Sequence, residues 1–351
     1  MKKLIFNVKK FINIAETYKI SFNTFIILFF SICFIRNFLE GLLEYPKIIR
    51  ANIDIKITLM QIGCLFNLEW ITLFLYIIII IYLLTKTNII AIFKITLLFF
   101  CIIIIVPIID FFIYYPDGCK IDYLYTLKDY LNALFYFFIP FVDVKVCTGI
   151  RIEVFISVIL LFFYILIKTQ NILKSILSII LLYFLAISSM AFPVFILLIF
   201  YPFNANLFDT YVNNFFFTPS FFDSFLNKFS IMIFILLIPA LLIIYKVHFK
   251  NKKFITLIKN LFSLDSIIIF IIVFSGFISS YGLFNLFFNI FNIIFIYFLF
   301  FIASVLNLYF QKIQNKNIKI ILFVLLLLFS LCISFNHLLI SLFFLSLTYI
   351  Y

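Results

Sequence analysis

Charge is what this sequence has least of, and acidic charge above all. Only 11% of its 351 residues are charged, against about a quarter in a soluble domain. From Ser266 to Tyr351 there is no Asp and no Glu at all. The first shortage excludes a soluble globular fold. The second withholds from that stretch the anionic oxygens that hold Mg²⁺. Cysteines are scattered as Cys33, Cys64, Cys101, Cys119, Cys147 and Cys332, with no C-x-x-C pair. Zinc and thiol-redox chemistry therefore have no motif to stand on. His248 and His337 have no second ligand nearby in sequence and read as interface residues. Gly (6), Pro (8) and Trp (1) are rare while Phe reaches 56. This reads as A/T-rich coding bias, which makes chance patterns of Asn, Lys, Phe and Ile common.

What fills the chain instead is apolar. The sequence is 67% hydrophobic with a mean hydropathy of +1.30, and single apolar runs exceed the ~20 residues that cross ~30 Å of hydrocarbon. The expected fold class is all-α: a polytopic membrane helix bundle of about ten spans. The runs fall at about 20–42, 58–84, 88–114, 150–168, 174–202, 228–247, 266–283, 286–311, 319–335 and 337–351. Residues 1–19 are basic and mixed, and read as a short interfacial helix. YLNALFYFFIPF (130–141) is too short to span and reads as a re-entrant or surface helix. No signal peptide precedes the first span, and no internal repeat is found.

The net charge of +12 sits in short loops, where it sets topology and meets anionic lipid rather than nucleic acid. The N-terminus, Lys86 and Lys94, Lys168 to Lys174, KVHFKNKK (246–253), and Lys312, Lys316 and Lys319 are nearly acid-free. With ten spans they share one side, so both termini are expected in the cytoplasm of an inner or plasma membrane. Asp117, Asp122, Asp129, Asp143, Asp209 and Asp223 fall on the other side; Lys47, Arg50 and Lys56 are the exception there. A polar connection at 248–262 divides a six-span domain, 1–250, from a segment at 260–351.

Within the first domain Arg36 and Glu40 lie at i,i+4 inside a span, and ionisable groups at that depth need partners. The topology brings Asp110, Arg151 and Glu153 to the same outer level, an expected outer polar cluster of five charged groups. Pairing of Arg36 with Glu40 as a packing device and a site for a ligand or lipid headgroup are both open. Glu69 beside Trp70 reads as an interfacial anchor. Cys119 and Cys147 share an outer loop, 28 positions apart. They are expected as two unrelated thiols, or as a pair if that side is oxidising.

In the second segment, LIKNLFSLDSIIIFIIVFSGFISSYG (257–282) is a basic stretch and a helix with Gly276 in its middle. SVLNLYFQKIQN ends the next helix with Asn307, Gln311 and Asn315 at four-residue spacing, and with Lys312 and Lys316 beside them. This order resembles the start of the UbiA-type intramembrane prenyltransferases, over residues 263–351 only. The resemblance implies a diphosphate site in which Asn307 matches the family's Asn. Leu308, Gln311 and Asn315 stand where its three Mg²⁺-binding Asp residues would be. Amides in place of carboxylates remove the charge that holds the metal. The expectation is a degenerate and truncated relative without prenyl transfer, with no cofactor in this chain and Mg²⁺ only where the ancestral site is intact. Lys312 and Lys316 could still attract an isoprenoid diphosphate as point charges. Two other classes remain open. One is a cell-envelope polysaccharide polymerase or flippase-like protein acting on lipid-linked glycans from the outer face, with the Arg36 cluster as its site. The other is a structural membrane protein whose partners are membrane lipids alone. A cavity on the outer side favours the former over prenyl transfer.

Overall fold

A computed structural model describes residues 2–50, 66–116, 119, 123–124, 126–139, 142, 144–192, 194, 225–248, 255–256, 259–260, 263–281, 300–302 and 304–305. Among these residues there are helices and no strands. They run in order as α1 (Lys2–Thr17), α2 (Phe22–Arg50), α3 (Phe66–Thr85), α4 (Ile89–Phe100), a 3₁₀ turn (Cys101–Ile104), and α5 (Val106–Ile113). Then come α6 (Leu127–Tyr136), α7 (Thr148–Thr169), α8 (Ile172–Met190), α9 (Phe225–His248) and α10 (Leu264–Tyr281). The chain forms two compact units, Met1–Val212 and Asn213–Tyr351.

Among the described residues five segments are long and apolar enough to cross a membrane: Phe22–Leu43, Phe66–Thr85, Ile89–Ile113, Thr148–Thr169 and Ile172–Met190. In the second unit α9 carries a shorter apolar stretch, Met232–His248. The spans expected at 319–335 and 337–351, most of 286–311, and the whole Asn307, Gln311, Lys312, Asn315, Lys316 constellation lie outside the described residues.

The helix ends follow from local chemistry. Asn88, Thr126 and Asn171 precede α4, α6 and α8, and each side-chain oxygen accepts from a backbone N–H of the first turn. Gln170 closes α7 in the left-handed conformation and turns the chain straight into α8. The expected span at 88–114 is interrupted by the 3₁₀ turn, with Pro107 in the first turn of α5. Proline has no N–H to give a continuous helix, so it favours a fresh start there.

In the first unit α7 and α8 pack as a hairpin, and α3 lies against α8 and α4. The 3₁₀ turn and α5 pack on α2, and α5 also packs on α7. Phe25, Phe29, Phe74, Phe93, Phe100 and Trp70 join α2, α3 and α4 through ring contacts at centroid distances of 4.9–6.1 Å. Outward faces stay apolar: Phe34, Phe112 and Phe163 are each more than half exposed, as suits side chains meeting lipid rather than water.

The expected interfacial helix is α1, and one acid fastens it. Glu16 receives Lys168 Nζ at 2.6 Å and Tyr164 Oη at 2.9 Å from α7. Its own backbone carbonyl accepts from Lys94 Nζ at 2.9 Å. Ile12 buries beneath while Lys9 and Lys10 remain exposed.

Candidate functional site

At the far end of the spans from Glu16, Arg36 is fully buried and forms an ion pair with Glu40 one turn along α2. Its guanidinium carbon lies 4.9 Å from the centre of the Trp70 ring and 5.9 Å from that of Phe66, both on α3, within cation–π range. Asn37 binds the same helix: its Oδ1 accepts from Trp70 Nε1 at 3.3 Å and its Nδ2 donates to Asn67 at 3.2 Å. The positive charge of Arg36 acts also on Glu69, Asp110 and Glu153. One cation thus serves four acids in this layer.

Those acids have different tasks. Asp110 on α5 is buried and accepts from the backbone N–H of Gly149 at 2.6 Å. The residue before α7, Cys147, offers no side-chain cap, so the carboxylate of a neighbouring helix satisfies that first turn and meets its positive end. Gly149 is what permits the approach, because a Cβ there would stand 2.6 Å from Asp110 Oδ2.

Arg151 corrects the expected five-member cluster. It donates to the carbonyls of Phe137 and Ile139 at 2.6 Å each, and to Val142 at 3.4 Å, where α6 ends and leaves carbonyls without helical donors. Two positions apart on a helix, Arg151 and Glu153 look in nearly opposite directions. Sharing an outer level did not mean sharing a face.

Glu69 and Trp70 are corrected as well. They are not simple interfacial anchors: Glu69 accepts from Tyr123 Oη at 2.6 Å, and both residues line an internal cavity. Tyr123 and Leu124 are themselves buried, with Leu124 N bonded to the carbonyl of Met190 at 2.9 Å. Tyr123 and Leu124, just before α6, therefore pack at this end. Cys119 and Cys147 form a disulfide that ties the same loop to the start of α7, in place of the two separate thiols expected.

The cavity has a volume of about 120 Å³. Its walls are stripes at helical spacing: Phe66, Glu69, Trp70, Leu73, Ile77 and Ile81 on α3, and Ile150, Glu153, Val154, Ser157 and Leu161 on α7. Thr96, Phe99 and Phe100 of α4 and Leu182, Ala186 and Ser189 of α8 complete it. Ile150 to Leu161 spans roughly 16 Å of helix axis, so this small volume is drawn out along the spans. It is a narrow slot, polar where Arg36, Glu69 and Glu153 enter the wall and apolar beyond. Among the described residues no group of three or more His, Cys, Asp or Glu side chains is placed to hold a metal.

Glu69, Asn37 and Asn67 carried no motif that marked them as one group. Tyr123 reaches Glu69 only through the loop's tertiary path. Compared with known proteins, the chain has no match: no family model matches it, and neither does a curated protein or a solved structure. The fold and its lipid-facing surface define the class. This is an integral membrane protein, helical and without strands among the described residues, with a buried charged layer at one end of its first unit.

Proposed function

We propose that this protein handles a lipid-linked substrate, taking a short segment of one apolar chain, next to the head, into the slot and holding the head at the Arg36 layer. The reading belongs with the polymerase or flippase-like proteins of the cell envelope, which act on lipid-linked glycans from the outer face. The observation that carries it is the slot itself. Its volume of about 120 Å³ is below the ~150 Å³ that holds a benzene-sized ligand, so it has room for a short segment of a chain and for no bulky ring system. Ile, Leu and Phe make most of its wall, and Arg36, Glu69 and Glu153 are its charged members, the mixed polarity that suits an amphiphile. The disulfide joins the loop at that same end, which suits an oxidising compartment outside the cytoplasm.

Purification from native membranes in mild detergent, followed by solvent extraction and mass spectrometry, tests the reading. Roughly one chain-bearing lipid per protein is expected, as for a single pocket. Ala186→Leu and Ser157→Leu, which fill the slot, are expected to lose it while the protein still runs as a monodisperse particle. Equal lipid retention by the filled variants would sink the proposal. The diphosphate reading of Asn307, Gln311 and Asn315 is a separate proposal about the second unit, tested by prenyl-transfer assay with isoprenyl diphosphates and Mg²⁺.

A further inference from the structure

The end of the first unit around Glu16 carries its charge in the opposite way to the Arg36 end. Glu16 is the only acid in residues 1–19, and Lys168 and Tyr164 hold its carboxylate against α7. Glu40, Glu69, Asp110, Asp129 and Glu153 all belong to the other end. What the Glu16 end shows to its surroundings is cationic. Lys9, Lys10 and Lys19, Lys86 in the turn between α3 and α4, and Lys174 in the first turn of α8 are all exposed. The ammonium groups of Lys9, Lys10, Lys19 and Lys174 meet no hydrogen-bond or ion-pair partner among the described residues.

Helix α1 divides its surface into three faces. Ile12 is buried and, with Glu16 one turn on, looks into the bundle. Val8, Phe11, Ile14 and Tyr18 recur every three or four residues and share a second face. That face is turned away from the bundle, since each of them is between 37% and 64% exposed. Lys9, Asn13 and Thr17, at four-residue spacing, run along a third face and are exposed as well. Exposed apolar residues continue beside the lysines of the neighbouring turns, at Ile90, Ile172 and Leu173. The five membrane-crossing segments begin or end at this level, at Phe22, Thr85, Ile89, Thr169 and Ile172, so this ring lies where hydrocarbon gives way to headgroups.

We infer that the Glu16 end of the first unit is a binding surface for anionic phospholipid. Phe11, Ile14 and Tyr18 enter the membrane interface, and the five lysines supply the countercharge to lipid phosphates. The composition of residues 1–19 made α1 interfacial. The three faces assign what each side of it touches, and the acid-free collar of lysines selects the headgroup. A zwitterionic lipid would accept the apolar face but leave the cations without countercharge, whereas apolar burial and attraction to anionic lipid add together. The inference is independent of what the slot holds.

A photoreactive residue on α1 reads its neighbours directly. The full-length protein carrying Phe11→benzoylphenylalanine would be placed in nanodiscs of equal phosphatidylcholine and phosphatidylglycerol with matched chains. Irradiation and peptide mass spectrometry then count the adducts of each lipid. Phosphatidylglycerol adducts are expected to lead by about fivefold at low salt, the scale of one lysine beside an anionic surface. The lead is expected to fall toward parity in 1 M salt, where the screening length is ~3 Å, and in Lys9→Gln with Lys10→Gln. The same probe at Phe34, exposed on α2 and roughly 18 Å along the helix from Phe22, is expected to stay near parity throughout. Parity at Phe11 in low salt overturns the inference, as does an equal lead at Phe34 or a lead that survives both the salt and the lysine changes. Phe11 adducts to a second copy of the chain, or none to lipid, would overturn it too, because the apolar face would then lie outside the membrane.

Discussion

Gly149 and Asp110 show how a single missing methyl group sets the geometry of the charged layer. The carboxylate can cap α7 only because nothing projects from position 149. Gly149→Ala is therefore expected to lower stability in detergent by ~1–3 kcal/mol, the cost of an unmade buried bond. Adding Asp110→Ala should cost much less than the two single losses combined, and thermal unfolding of the four proteins checks this. Additive losses would mean that the two side chains do not meet. Arg36 obeys a related logic. Arg36→Leu leaves Glu40 buried without its partner and is expected to cost ~3–5 kcal/mol, whereas Arg36→Leu with Glu40→Leu should recover part of that loss. At this scale the sequence was informative about depth and silent about direction. Arg36, Glu40, Asp110, Arg151 and Glu153 could be placed at one level by counting residues. Which of them face one another depends on helix rotation, and that is set by packing of apolar faces that look alike all round.

The helices themselves were legible wherever hydropathy and capping residues agreed. The tight turns before α4 and α8 carry their own Asn caps, and α1 and the short α6 are helices where length and polarity place them. Less legible was what holds the short elements down, since that comes from long-range polar contacts. Glu16, read in the sequence only as a charge set against lysines, binds Lys168 and Tyr164 on α7. Their side chains leave Glu16 11% and Lys168 18% exposed, so the contact is largely shielded from solvent. Glu16→Gln is expected to cost ~2 kcal/mol, the scale of bonds to a charged group, and to make α1 susceptible to proteolysis first. Unchanged cleavage would show that α1 is held by Ile12 and its apolar contacts instead. The loop before α6 gives a second test at this scale. Reduction of Cys119–Cys147 frees one anchor of the segment that carries Tyr123 and Leu124. Faster hydrogen exchange at the Leu124 N–H is expected after reduction, with α7 and α8 unchanged. Exchange that does not respond would assign the loop's order to the Tyr123–Glu69 and Leu124–Met190 bonds alone.

For the whole molecule, composition decided the class, and span lengths gave most of the first unit. Five of the ten expected spans coincide with described helices long and apolar enough to cross a membrane. The slot was not legible, because its liners are the same Ile, Leu and Phe that fill every other helix face. Only the pairing of α3 with α8 and of α7 with α8 turns those stripes toward one another. The central claim is that a lipid chain lies in this slot rather than on the outside of the bundle. A single-chain amphiphile with a photoreactive diazirine a few carbons from its head, bound to the reconstituted protein and irradiated, gives the most direct test. Peptide mapping is predicted to find adducts on Ile77, Leu161 and Leu182, which line the slot, and to find them lost in Ala186→Leu. Adducts confined to the lipid-facing residues Phe155, Phe163 and Ile180, each about half exposed, would contradict the account.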